Sequence, residues 1–273
     1  MQACNFAAMD APRSVPVYEK PPLVEAVLAF TFARYTVPWD SIYFGKFHDR
    51  VQRDFPMVGN IPGASIEMSG ETGVRVHAAP EIKRFARHDE GMVMTVGANL
   101  LGLSVLPKKY PGGHPGWPML LHTALASLQS YVTVTKPDEI VQVGVRYINA
   151  IPIDPATFLL RTIIADDATI IPAALLEERN PFSLRVERTR GTASTRRLQE
   201  ALALQARPSP HGSAELVLDV DELSLGSVDS SDQDRLSEVA GELHDAIHDV
   251  FSTVIRDNVR DSFLPKPSSP MVK

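Results

Sequence analysis

Val141-Gln-Val-Gly-Val-Arg-Tyr-Ile-Asn-Ala-Ile-Pro-Ile153 lies at the middle of the chain and reads as one long β-strand. Its odd positions, Val141, Val143, Val145, Tyr147, Asn149, Ile151 and Ile153, are apolar apart from a single amide. Its even positions include Gln142, Gly144 and Arg146. Side chains alternate across a strand, so one face suits a core and the other tolerates charge. A second stretch has a similar design: Val24, Ala26, Leu28, Phe30 and Phe32 alternate with Glu25, Val27, Ala29 and Thr31. At an offset of 117, Leu23 matches Ile140, Glu25 matches Gln142 and Phe30 matches Tyr147. The two strands divide the chain into comparable halves.

The remaining elements follow from these two. Phe44, Phe47, Val51 and Phe55 recur at spacings of three and four, which predicts a helix capped by Asp40 or Ser41 and closed by Pro56. Residues 64–105 read as short strands, with Asp89-Glu-Gly91 as a hairpin turn. The glycine- and proline-rich loop 110–116 leads into a helix with Trp117, Leu120, Ala124, Leu128 and Tyr131 on one side. In the second half, Asp154-Pro155 opens a short helix through about Ile163. Strands follow near 182–190, 195–206 and 214–223. The last helix is expected over about 231–263, with Leu236, Val239, Leu243, Ile247, Val250 and Val254 as its apolar stripe.

The expected fold is therefore α+β. Two similar β-α-β(3-4)-α halves, 17–137 and 138–264, would each pack a curved antiparallel sheet on a long helix, and could join across their central strands. Helix-grip and TATA-binding-protein-like folds share that order of elements. Residues 1–16 read as a disordered leader and 265–273 as a disordered tail.

Composition narrows the classes. With 44% hydrophobic and 22% charged residues, 273 residues can bury a sizeable core. No apolar run reaches the roughly 18 residues that span a bilayer, so no membrane association is expected. The N-terminus lacks the pattern of a secretory signal, which makes a cytoplasmic location the default. Cys4 is the single cysteine, so no internal disulfide can form. A net charge of -6 disfavours nucleic acid as a partner.

Several clusters are candidates for chemistry. Glu25 and Arg146 lie on the less apolar faces of the two matched strands and could pair or line a cleft, with Tyr147 beside them. Asn149 is an amide on an apolar face and needs hydrogen-bond partners if buried. His244 and His248 are four apart on the last helix, the spacing of half a zinc site, but no third ligand stands nearby in sequence. A pair of histidines at the rim of the apolar stripe is the simpler account. Asp219, Asp221 and Glu222, and the loop pair Asp166 and Asp167, fit solvated acidic surfaces better than metal sites. Arg185, Arg188, Arg190, Arg196 and Arg197 flank one turn and form the main basic concentration, a hairpin tip that could touch an acidic surface or nucleic acid. The chain has no phosphate loop, no GxGxxG after a strand and no GxSxG elbow. No cofactor is implied, and the sequence leans away from an enzyme.

Four segments resemble a sporadically distributed prokaryotic family of unknown function. They are Pro21-Pro-Leu-Val-Glu-Ala-Val27; Val96-Gly-Ala-Asn-Leu-Leu101 with Tyr110-Pro and Trp117; Gly144-Val-Arg-Tyr-Ile-Asn149; and Leu243-His-Asp-Ala-Ile-His248 with Phe251, Ile255 and Phe263. They span about 18–264, in order, and depart from the family at the expanded loop from Lys108 to Gly116. The resemblance implies one architecture and carries no reaction. Its sporadic distribution suggests an accessory or defence-type module, antitoxin-like, that binds a protein partner or associates with itself. The alternatives are a small-ligand binder or hydrolase with a cavity between sheet and helix, using Glu25, Arg146 and Tyr147, or nucleic-acid binding through the Arg185–Arg197 hairpin.

Overall fold

The computed structural model describes residues 21–33, 39–61, 64–69, 73–78, 81–137, 139–154, 158–168, 170–177, 182–191, 197–208 and 214–263. The strands are β1 (Leu23–Phe32), β2 (Met57–Ile61), β3 (Ala64–Ser69), β4 (Gly73–Ala78), β5 (Ile82–Ala86), β6 (Met92–Gly97), β7 (Leu100–Val105), β8 (Ile140–Ile153), β9 (Phe182–Gly191), β10 (Arg197–Pro208) and β11 (Ala214–Leu225). The helices are α1 (Ile42–Val51), α2 (Trp117–Thr135), α3 (Gln233–Val254) and α4 (Asp257–Asp261).

The order of the main sheet is β2-β5-β6-β7-β1-β8-β11-β10-β9, with every neighbouring pair antiparallel. Strands β3 and β4 form a separate pair. This corrects the expectation of two sheets, each packed on its own long helix. The reason lies in the pairing of β1 with β8, which sets Ala26 against Tyr147, Leu28 against Val145 and Phe30 against Val143. That ladder joins all nine strands into one sheet. Alternation in sequence fixes which face a residue takes, but not which strand will satisfy its backbone groups. The two flanks also differ: α1, β2 and the β3–β4 pair occur only on the β1 side of the chain.

Helices α1, α2 and α3 cover one face of the sheet. Cross-strand partners share a face, so Phe85, Met94, Leu103, Leu28, Val145 and Glu222 form one row across six strands, all of them buried. Tyr131 of α2 is fully buried above this face and stacks on Phe32, with ring centroids 4.6 Å apart. Its hydroxyl donates to Gly97 O and Ala98 O at 2.8 and 3.1 Å. Phe47 of α1 packs edge-on against Tyr131 and Phe85. Helix α3 opens with Asp232, whose side chain accepts the Arg235 N–H at 2.9 Å, the bond expected of an N-cap aspartate.

The last helix is shorter than its apolar stripe suggests. Ile255 leaves helical geometry at φ −95° and ψ 130° because it bridges to Ile164, and α4 resumes only at Asp257. Pairing with a distant segment here overrides local periodicity. The short helix expected after Asp154 is a 3-10 turn at Leu160–Thr162, while residues 155–157 lie outside the described set.

Candidate functional site

One end of the helix-covered face is hollow. A cavity of about 1360 Å³ is bounded by Pro22 and Leu23 at the start of β1, the loop from Pro107 to Trp117, the second half of β8, Phe158 to Ile163, and α3 with α4. Its polar groups converge from three directions. Tyr147 comes from β8, His114 from the loop, and His244 with His248 from α3.

Local structure explains each placement. Tyr147 stands on the core face of β8, level with Ala26 and Val220. His244 and His248 are one turn apart on α3 and so project from the same side. Trp117, the first residue of α2, lies flat on the His244 ring, with centroids 4.3 Å apart and planes 2° from parallel. His248 meets His244 edge-on at 4.5 Å and Tyr147 at 5.9 Å.

The central contact is Tyr147 Oη to His244 Nδ1 at 2.7 Å. Burial pushes the Tyr147 phenol up from its ordinary value, with Asp245 adding to the shift, so it keeps its proton. Burial first, then His248 and His114, holds the His244 imidazole down to about 3. Both partners are neutral near pH 7. We assign the hydroxyl as donor to Nδ1, which puts the imidazole proton on Nε2. His248 is held down to about 4, chiefly by burial, with Asp249 opposing and His114 reinforcing the shift. His114 is also lowered by burial. Its Nδ1 accepts the Gly116 N–H at 2.9 Å, so the neutral ring carries its proton on Nε2, a buried donor that meets no acceptor among the described residues.

The site therefore presents three neutral imidazoles and one phenol in a half-open, mainly apolar cavity that also admits Lys108, Asp154, Thr162, Asn258 and Ser262. The imidazoles and the phenol exchange hydrogen bonds at neutral pH without bringing a charge of their own. Among the described residues, no group of three or more His, Cys, Asp or Glu side chains is arranged to hold a metal ion.

The residues singled out from the sequence are dispersed. Tyr147, His244 and His248 meet at the cavity. Arg146, one residue from Tyr147, emerges on the opposite face of the sheet, where its Nε and Nη2 donate to Asp219 at 2.8 and 2.6 Å. Asp219, then Asp221 and Glu25, stabilise its charge. Glu25 pairs in register with Ile148 on that same face, so Glu25 and Arg146 do not line the cavity. Burial raises the Asp221 carboxyl, against the pull of Arg146. Asn149 is buried on the core face between Leu23 and Leu218, beside the register shift between Leu23 and Glu25.

Arg185 is ion-paired with Glu187 at 2.7 Å, and Arg188 with the buried Glu200 at 2.6 Å. The side chains of Arg190 and Arg197, and all of Arg196, lie outside the described residues. Asp166 pairs with Arg256. Sequence reasoning did not single out His114, Trp117 or Lys108 as site residues. Their signals were the Gly/Pro-rich loop and, for Trp117, its place on the apolar side of the helix that follows, which say that a loop and a buried helix exist and not what they face.

No family model, curated protein or solved structure matches this chain.

Proposed function

We propose that the protein binds a small, largely apolar molecule in the cavity between β8, the loop before α2, and α3. The observation that carries this reading is coincidence in space: the cavity is also where buried Tyr147 and His244 meet His248 and Trp117. Enclosures of several hundred cubic ångströms, apolar with a few convergent polar groups, are the usual form of a ligand site. Strongly shifted ionisable groups concentrate at such sites.

Thermal shift with a panel of aliphatic and aromatic compounds tests the reading, because a ligand selective for the native state raises Tm. Asn258 is exposed at the rim of the cavity, so Asn258→Trp obstructs the entrance without disturbing the core. At least one compound is expected to stabilise the parent protein and to lose that effect in Asn258→Trp. Absence of any shift across the panel would count against a ligand site.

Self-association is a second proposal. Strand β2 is a sheet edge, and its Met57, Val58 and Ile61 are exposed. An open apolar edge favours strand addition by another copy. Sedimentation of Val58→Lys against the parent tests it: equal mass for both would remove the support. No helix among the described residues is long and apolar enough to cross a membrane.

A further inference from the structure

We infer that the cavity's ligand is an apolar acid, with an aliphatic or aromatic body and one carboxylate or equivalent oxyanion seated against His248 and His114. This rests on the ligand-binding reading above and names the chemistry of the molecule bound.

The body of a ligand would meet Leu23, Ile151, Phe158, Ile163, Val259 and Phe263, all apolar. Its polar end would meet imidazoles that desolvation keeps uncharged. Among the described residues the His248 ring meets its neighbours through ring contacts with Tyr147 and His244, and the buried His114 Nε2 has no acceptor. His248 can supply an N–H donor directly, whereas the His114 Nε2–H, which has no exposed surface, reaches a ligand only when its ring turns; an oxyanion is the acceptor that gains most from such donors.

Electrostatics around the cavity point the same way. Lys108, exposed on the loop, contributes a cation to the lining. Helix α2 directs its N-terminus at the cavity through Gly116 and Trp117, with no side-chain cap and no acidic residue in its first turn. That helix end adds a partial positive charge. The carboxylates in the neighbourhood are few. Asp154 at the end of β8 has a partner of its own. Asp245 and Asp249 on α3 are exposed and outside the lining, though their charge reaches Tyr147 and His248. Arg260 pairs with Asp257 on α4, and Arg161 with Glu177 beside the 3-10 turn. The lining thus carries one cation, Lys108, and one carboxylate, Asp154, which is engaged elsewhere, and the α2 N-terminus adds to the positive side.

An anion placed beside neutral His248 favours the imidazolium. A neighbouring carboxylate raises an imidazole pKa by about 1–3, so from about 4 binding draws at most about half a proton onto His248 at pH 7, and more toward pH 6. This proton uptake separates an acid from any neutral ligand of the same shape.

The test is calorimetric titration of the full chain with decanoate, decanol and decylammonium, in two buffers of different ionisation enthalpy. Decanoate is expected to bind at least about tenfold tighter than the other two at pH 7. It should take up close to one proton at pH 6 and about half at pH 7, so its affinity falls as pH rises, by less than about tenfold per pH unit. His248→Phe should weaken decanoate by about tenfold or more and leave decanol unchanged. Lys108→Met, at an exposed position that does not endanger folding, should weaken decanoate by roughly two- to fivefold. Decanol binding as tightly as decanoate, or decanoate binding without proton uptake, would overturn the acid while leaving the cavity intact. Failure of all three compounds to bind would overturn the ligand site itself.

Discussion

Tyr147 on the central strand and His244 on the last long helix, 97 residues apart, meet in a 2.7 Å contact between Oη and Nδ1. Arg146, the preceding residue, points the other way and grips Asp219 on the open face of the sheet. One step of the β8 pleat therefore separates the polar centre of the cavity from a surface ion pair.

Removing the phenol oxygen leaves His244 Nδ1 buried without its donor. Tyr147→Phe keeps the ring and its packing, so the loss is confined to the hydrogen bond. It is expected to lower stability by about 1–2 kcal/mol, measured as a shift of the urea midpoint at constant m-value. An unchanged midpoint would mean that the contact contributes nothing to folding.

Stability should fall on mild acidification. In the unfolded chain these histidines titrate near 6.5, whereas in the fold His244 is held to about 3 and His248 to about 4. Below pH 6.5 the unfolded state binds more protons, so stability rises with pH through this window. It is fully present above 6.5 and is lost as pH falls toward 4. The slope contributed by each residue is at most about 1.4 kcal/mol per pH unit. Urea unfolding at pH 7.5, 6.5 and 5.5 reads it, and His248→Phe should flatten the curve. A variant with the same slope as the parent would remove His248 from this account.

Arg146→Ala is expected to cost under about 1 kcal/mol, because its pair with Asp219 is nearly half exposed at the arginine end. It should leave any ligand-induced rise in Tm unchanged. Loss of that rise in a folded Arg146→Ala protein would show that the open face communicates with the cavity.

Gly91→Ala probes the loop that closes the cavity. A Cβ at Gly91 would lie 2.6 Å from the Tyr110 Cα and 2.9 Å from its backbone nitrogen. These are main-chain atoms, so the segment beginning at Leu106 must move. A cost of about 1–3 kcal/mol is expected. The shift should carry into Lys108 and His114 and weaken ligand binding as well. A stable variant with native ligand affinity would show that the loop adjusts without reaching the site.

Much of the fold was legible in the residues themselves. The alternation in 23–32 and 140–153 predicts which side chains enter the core, and Ala26, Leu28, Phe30, Val143, Val145 and Tyr147 are all buried. The hairpin at Asp89-Glu-Gly91 joins β5 and β6, and the stripe from Leu236 to Val254 is the buried side of α3. That β1 could lie beside β8 was legible as one option, but that all nine strands form a single sheet was not, since two sheets each with a helix satisfy the same periodicities. Nor was the break at Ile255, which depends on Ile164, a residue distant in sequence.

For the candidate site the division is sharper. The sequence alone determined that Tyr147 faces the core, that Arg146 faces away from it, and that His244 and His248 share one side of a helix, because pleat and helical pitch are local geometry. Only tertiary structure decided that Tyr147 touches His244, that Trp117 covers the His244 ring, and that His114 joins them while Arg146 turns to Asp219 on the face it shares with Glu25. Those relationships follow from strand order and from where a loop crosses the sheet end. They are set by packing across the whole sheet and its covering helices at once, and no short stretch of residues encodes them.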